Sequence, residues 1–142
     1  MKVSVIIPTY KRAKFLIRAV NSVLFQTYEN VEVVVVDDNG AGTENQKAVE
    51  ALLKQRFGNI EKLVYLKCEN NIGGAAARNY GAKKSSGDYL CFLDDDDVFL
   101  PYKIKNQLVF MEKHDLDLSF SDIEIHDGRD RLINSKIHSK YI

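Results

Sequence analysis

Apolar residues along this chain fall into short, nearly unbroken runs separated by stretches with helical spacing. Residues 3–7 are apolar apart from Ser4, and residues 31–36 hold five valines around Glu32. Runs of this kind mark strands buried on both faces of a parallel sheet, because a strand with one wet face alternates instead. Between them Leu16, Val20, Val23 and Leu24 recur at helical spacing, which predicts an amphipathic helix over 13–26. Thr43 with Gln46 reads as a capping box, and Val49, Leu52, Leu53 and Phe57 carry the next apolar stripe until Gly58 ends it. Residues 63–68 predict a third strand, 75–84 a third helix closed by Ser85-Ser86-Gly87, and 89–93 a fourth strand. The β-α-β-α-β-α-β order predicts an α/β fold: an open, mostly parallel, Rossmann-like sheet flanked by helices, with right-handed crossovers. Pro101 suits the first turn of a further helix carrying Ile104, Leu108 and Met111. Residues 117–126 alternate as a fifth strand, with Leu118 and Phe120 on one face and a register change before Ile123 and Ile125; Asp127-Gly128 is a turn signal after it. No repeat or Pro/Gly-rich linker interrupts the pattern, so residues 1–142 read as a single domain.

Composition narrows the function classes. With 142 residues, 45% of them apolar and 28% charged, the chain has the length of one domain and the means to bury a core. Lys+Arg 20 balance Asp+Glu 20, so no basic field points to nucleic acid. The local groups Lys2, Lys11, Arg12, Lys14 and Lys103, Lys105 fit a solvated face as well as they fit phosphate or a membrane surface. Cys68 and Cys91 sit in strand-like apolar runs and read as reduced, structural thiols. No stretch approaches the roughly 20 apolar residues of a membrane span, and the N-terminal apolar run is too short for a signal peptide, so a cytoplasmic location is expected.

In open α/β sheets ligands bind beyond the carboxyl ends of the strands. All four predicted strands deliver polar groups there: Pro8-Thr9-Tyr10, Asp37-Asp38-Asn39, Glu69-Asn70-Asn71, and the run Asp94, Asp95, Asp96, Asp97. Each segment alone is explained by turn chemistry; their conjunction at one edge is what points to a site. Four adjacent carboxylates are hard to keep ionised without a cation. On extended backbone Asp94 and Asp96 would face one way and Asp95 and Asp97 the other. Oxygen-only ligands suit Mg²⁺ or Mn²⁺, which take substrate phosphates as further ligands. The alternative is a solvated acidic turn before a helix. Gly73-Gly74 opens a helix whose backbone N–H groups, with Arg78 one turn in, suit an anion. The segment lacks the spacing of a dinucleotide fingerprint or a phosphate loop, and the acidic run lacks the later positions of an EF-hand.

Five segments in order carry a specific resemblance: residues 3–12 with Pro8-Thr9-Tyr10-Lys11-Arg12, 22–28, 32–38, 71–81 with Ala77-Arg78-Asn79-Tyr80-Gly81, and 87–97 followed by Pro101. Over residues 2–128 the chain resembles the family 2 glycosyltransferases of the GT-A fold. The resemblance implies that Pro8, Thr9, Tyr10 and Asp38 hold the base and ribose of a nucleotide, Asp38 accepting from a ring N–H of a uracil-like base. It places Arg12, Gly73 and Arg78 with the donor. It matches Asp94-Asp95-Asp96 to the family's D-x-D element, Asp96 ligating a divalent metal and Asp94 or Asp95 meeting the ribose or the metal's water shell. The family often has a small residue where Asp95 stands. Implied partners are a nucleoside diphosphate sugar, UDP-linked before others, and a saccharide or lipid-linked acceptor at the inner face of a membrane, with inversion at the sugar carbon. The family's catalytic base and acceptor wall come from a later segment, so the chain reads as a donor-binding part, its base expected beyond Ile142. A non-catalytic nucleotide-sugar-binding module is the alternative. A Mg²⁺-dependent phosphohydrolase is the weaker rival, since the first strand ends in Pro8-Thr9 where an aspartate nucleophile would stand.

Overall fold

The computed structural model describes residues 1–58, 60–127 and 129–134. Residues Met1–Lys103 form one compact unit and Ile104 onward a second. In the first, β1 (Val3–Thr9), β2 (Val31–Asp37), β3 (Leu63–Lys67) and β4 (Tyr89–Phe92) lie in the order β3-β2-β1-β4, every neighbouring pair parallel. The unbroken apolar runs are the two central strands, as their lack of alternation requires. Val5, Ile6, Ile7 and residues 33–36 are fully buried, each side chain contributing about 1.5–3 kcal/mol of transfer free energy.

Helices α1 (Ala13–Leu24), α2 (Glu44–Phe57) and α3 (Gly74–Lys84) flank the sheet. Ile6, Val34 and Val36 on one face form a core with Ala77 of α3 and Cys68. Gly81 allows this approach: a Cβ there would stand 2.6 Å from Ile6 and 2.8 Å from Val36. Strand alternation turns Val5, Ile7, Val33 and Val35 to the opposite face, and α1 packs on β1 and β2 with α2 beside it. Helix α1 stops two residues short of its predicted end. Gln26 leaves the helical path because its Nε2 donates to the Leu100 carbonyl at 2.7 Å as well as to Ser22 at 2.9 Å. The cap of α2 is half as predicted: Thr43 Oγ1 accepts from Gln46 N at 3.2 Å, while Gln46 Oε1 accepts from Gly42 N rather than from Thr43.

At the amino edge of the sheet Glu32, buried on β2, ties three segments together. Its carboxylate accepts from Ser4 Oγ at 2.6 Å and from Ser86 N and Oγ at 2.6 and 2.8 Å, and pairs with Lys2 Nζ at 2.6 Å. Burial alone would raise its pKa, but these donors overcome that and hold it at about 2. Gly87 N donates to the same Ser4 hydroxyl at 2.8 Å, and a Cβ at Gly87 would collide with it at 2.4 Å.

In the second unit, α4 (Lys103–His114) buries Ile104, Leu108 and Met111, the stripe predicted for it. Pro101 lies in the turn ahead of α4 rather than in its first helical turn. The predicted fifth strand over 117–126 does not form as such. Only β5 (Ile125–His126) is paired, and its partner is β6 (Leu132–Asn134), antiparallel, not the parallel sheet. Alternation reports a period and not a partner, and Leu118 and Phe120 stand 67% and 77% exposed among the described residues. Asp127 closes the predicted turn by accepting from Arg129 N and Arg131 N; Gly128 and Ile142 lie outside the described residues. No helix among these is long and apolar enough to cross a membrane.

Candidate functional site

The chain leaves β1 toward β2 on one side, while β4 is added on the other, so the sheet order reverses between β1 and β4. That is where an open α/β sheet forms a crevice. The last residue of β1, Thr9, is buried and donates through Oγ1 to Asp95 Oδ2 at 2.7 Å, bridging the two strand ends. A cleft of about 240 Å³ opens above this bridge, lined by Pro8, Thr9, Tyr10, Arg12, Asp38, Asn71, Gly73, Gly74, Arg78 and Asp94. Eight of the residues read from the sequence as donor-binding line it. Asp95 and Asp96 are not among the lining: Asp95 is wholly buried behind Thr9, and Asp96 is half-exposed and paired with Arg12.

The acidic run is not extended. Asp97 N donates to the Asp94 carbonyl at 3.1 Å, closing a turn, so the expected alternation of Asp94 and Asp96 against Asp95 and Asp97 is replaced by a different division. Asp94 forms a close ion pair with Arg78. Asp95 and Asp96 share Arg12, with Nη2 2.8 Å from Asp95 Oδ1 and Nη1 2.5 Å from Asp96 Oδ2. The contact at Asp95 Oδ1 is one of charge rather than an aligned hydrogen bond, since that oxygen has no hydrogen-bond partner. Burial, and then the Asp96 and Asp94 charges, raise the Asp95 pKa against the opposing Thr9 bond and Arg12. Burial and the same two carboxylates raise Asp97.

Asp38, at the end of β2 and expected from the sequence to meet a base, accepts hydrogen bonds from the segment ahead of α3. Its Oδ1 accepts from Ile72 N at 2.7 Å and its Oδ2 from Gly73 N at 2.9 Å and Asn71 Nδ2 at 2.8 Å. The carboxylate therefore builds the start of α3, where Gly73 takes φ 84°, a conformation open to glycine at little cost. Gly74 leaves room for Arg78, whose Nη1 would lie 3.2 Å from a Cβ there.

Two members of the triplet at the end of β2, Asp37 and Asn39, were given no individual role by the sequence. Asp37, fully buried, accepts from Tyr65 OH at 2.6 Å and from Asn39 N and Nδ2 at 3.0 and 2.7 Å; burial and this bond push the Tyr65 phenol well above its ordinary range. Asn39 Oδ1 in turn accepts from Lys11 N at 2.8 Å, which holds Lys11 at φ 58°. Their signal was the polar triplet at the strand end, but nothing in one dimension says which of three residues turns inward. Cys68 beside Asp38 is free and buried, its thiol pushed up to about 11 by burial and then by the Asp38 and Asp37 charges.

Among the described residues no three metal-ligating side chains converge. The donor set nevertheless fits a hard divalent cation: Mg²⁺ and Mn²⁺ are commonly held by one or two carboxylates with substrate phosphates completing the shell; Asp94 lines the cleft and Asp96 lies in the same turn, paired with Arg12 of the lining.

The parallel order and its cleft place the molecule among α/β folds that bind nucleotides at a switch point, and the solved structures it matches are glycosyltransferases of the GT-A type. The chain belongs to the glycosyl transferase family 2, whose pattern matches residues 4–141. It is 41% identical over 134 residues to an uncharacterized glycosyltransferase of Rickettsia bellii, covering 94% of this chain and 18% of that one. S. aureus TarS 1-349, solved in complex with UDP-GlcNAc, superposes with a TM-score of 0.65 at 30% identity over 81% of this chain and 32% of that one. The mannosyltransferase PcManGT from Pyrobaculum calidifontis, solved with GDP-Man and Mn²⁺, shares the fold with a TM-score of 0.66 at 23% identity, over 91% of this chain and 36% of its own. The chain thus spans between about a fifth and a third of the length of these proteins.

Proposed function

We propose that the cleft binds a nucleoside diphosphate sugar, a UDP-sugar in the first instance, as the donor half of a sugar transfer to a saccharide or lipid-linked acceptor hydroxyl at the inner face of a membrane. The observation that carries this reading is the arrangement of Arg12 and Arg78 around the acidic turn at the switch point: two guanidiniums for a diphosphate and Asp94 line one cleft, with Asp96 held by Arg12 beside it. The complex of TarS with UDP-GlcNAc supports it through the shared fold and 30% identity.

In this reading Asp38 orders the Asn71–Gly73 backbone against which the nucleoside lies, and Pro8, Thr9 and Tyr10 form the opposite wall. Arg78, one turn into α3, and Arg12 offer planar bidentate donors to phosphoryl oxygens. Asp96 and Asp94 would hold Mg²⁺ or Mn²⁺, which supplies charge neutralisation as the diphosphate leaves. Thr9 fixes Asp95 beneath them, so the turn keeps its shape while its outer carboxylates change partners. Calorimetry tests the reading. UDP binding should require Mn²⁺, because a diphosphate and an acidic turn repel each other without it. Asp96→Asn should weaken Mn²⁺-assisted binding while leaving the melting temperature close to the parent's. Equal UDP affinity in EDTA and in Mn²⁺ would remove the cation from the site.

A further inference from the structure

We infer that Arg12 stands in for the divalent cation on the acidic turn, and thereby makes uptake of the cation conditional on uptake of the diphosphate. The inference rests on the reading above that the cleft takes both.

Arg12 is not a long side chain that happens to fall on an acid. Its guanidinium bridges two adjacent carboxylates, one of them fully buried and the other half-exposed. The residue before it is held at positive φ by the Asn39 side chain, so the backbone that carries Arg12 is set by the end of β2. A buried carboxylate such as Asp95 is costly without a counter-charge, and Arg12 provides one when the cleft holds nothing. Arg78 does the same for Asp94 from α3.

This arrangement opposes each ligand taken singly. A cation arriving alone at Asp96 must displace Nη1 and then face, within a few ångströms, the guanidinium it displaced. A diphosphate arriving alone meets Asp94 and Asp96 across the same few ångströms. When both arrive, every charge finds a new partner: Asp96 turns from Arg12 to the cation, and Arg12 turns from Asp96 to the phosphoryl oxygens. Arg12 keeps its contact with buried Asp95 through the other nitrogen, so the exchange strands no buried charge. By linkage the cation then tightens the diphosphate by the same factor as the diphosphate tightens the cation.

The test is a set of calorimetric titrations, with the Mn²⁺-alone arm repeated by the paramagnetic resonance signal of free Mn²⁺: Mn²⁺ alone, UDP alone, and each in the presence of the other, on the parent and on Arg12→Gln. In the parent the two ligands should tighten one another by a factor within the usual range of about 5 to 150. In R12Q, Mn²⁺ alone should bind more tightly than to the parent, by about fivefold or more, and the mutual tightening should shrink. A cation that merely bridges protein and diphosphate would also give coupling in the parent, but would leave Mn²⁺-alone affinity unchanged in R12Q; that outcome overturns the inference. If R12Q melts well below the parent, Arg12→Met serves instead, titrated below its transition, because it keeps a long side chain and removes the charge, and Mn²⁺ alone should again bind more tightly than to the parent. Failure of the parent to take up UDP even with Mn²⁺ would overturn the donor reading and this inference with it, whereas normal UDP uptake with no shift in Mn²⁺-alone affinity in either variant overturns this inference alone.

Discussion

Asp38, expected from the sequence to meet a nucleotide base, has its carboxylate engaged by its own chain. Three donors from 71–73 converge on its carboxylate, so it shapes the wall of the cleft before any nucleotide arrives. Asp38→Ala should therefore do two things. Uridine nucleotide affinity should fall by about 1–3 kcal/mol, the range for losing hydrogen bonds to a charged group. The melting temperature should fall as well, since Ile72 N and Gly73 N lose their acceptor. Titration of UDP in Mn²⁺, run beside a melting curve, separates the effects: unchanged affinity in a less stable variant would make Asp38 a loop-builder without a role in binding.

The elements are joined at the amino edge of the sheet by a polar knot. Glu32 of β2 accepts from Ser4 of β1 and from Ser86 ahead of β4, with Lys2 alongside. Its folded pKa of about 2 lies below the ordinary value of 4.5, so the carboxylate stabilises the fold at pH above about 4.5, and that contribution is lost as the pH falls from there toward 2. The difference corresponds to about 3 kcal/mol. Denaturant midpoints measured between pH 6 and pH 2 should fall for the parent, and Glu32→Gln should start lower at pH 6 and fall less steeply. A parent and variant with parallel pH profiles would show that Glu32 is not the titrating group. The knot also explains why glycine stands at Gly87, where the α3–β4 connection passes within hydrogen-bonding distance of Ser4.

The molecule as a whole carries no net charge, with Lys+Arg 20 against Asp+Glu 20, so the binding proposed for ions and nucleotides rests on the local arrangement in the cleft. Binding to the folded state alone stabilises it by mass action, about 2.7 kcal/mol when free ligand is one hundred times its dissociation constant. For a chain of this size each kcal/mol moves the melting temperature by about 2–4 °C. UDP with Mn²⁺ should therefore raise it by about 5–10 °C, and UDP with EDTA or Mn²⁺ without nucleotide by much less. Scanning fluorimetry measures this directly. An equal rise with UDP alone would count against a cation at Asp96.

The order of elements, the two buried central strands, the apolar stripes of α1, α2 and α4, and the gathering of polar groups at the strand ends were all legible in the sequence. Each follows from a local rule: burial on both faces removes alternation, a packed helix repeats every three to four residues, and chain direction in a parallel sheet sends all strand ends to one edge. Those rules brought the strand ends to one edge, and the resemblance to family 2 glycosyltransferases singled out eight residues that line the cleft. What the sequence left open concerns partners. Alternation over 117–126 could not say which strand would pair with it, and the structure pairs only Ile125–His126, with Leu132–Asn134. Four consecutive aspartates could not reveal that they form a turn, nor that Arg12 takes two of them and Arg78 a third. Asp37, Tyr65 and Asn39 became one relay only when β2, β3 and the Lys11 turn were side by side. Local periodicity is written into neighbouring residues, whereas a contact between residues tens of positions apart depends on where the folded backbone carries both of them.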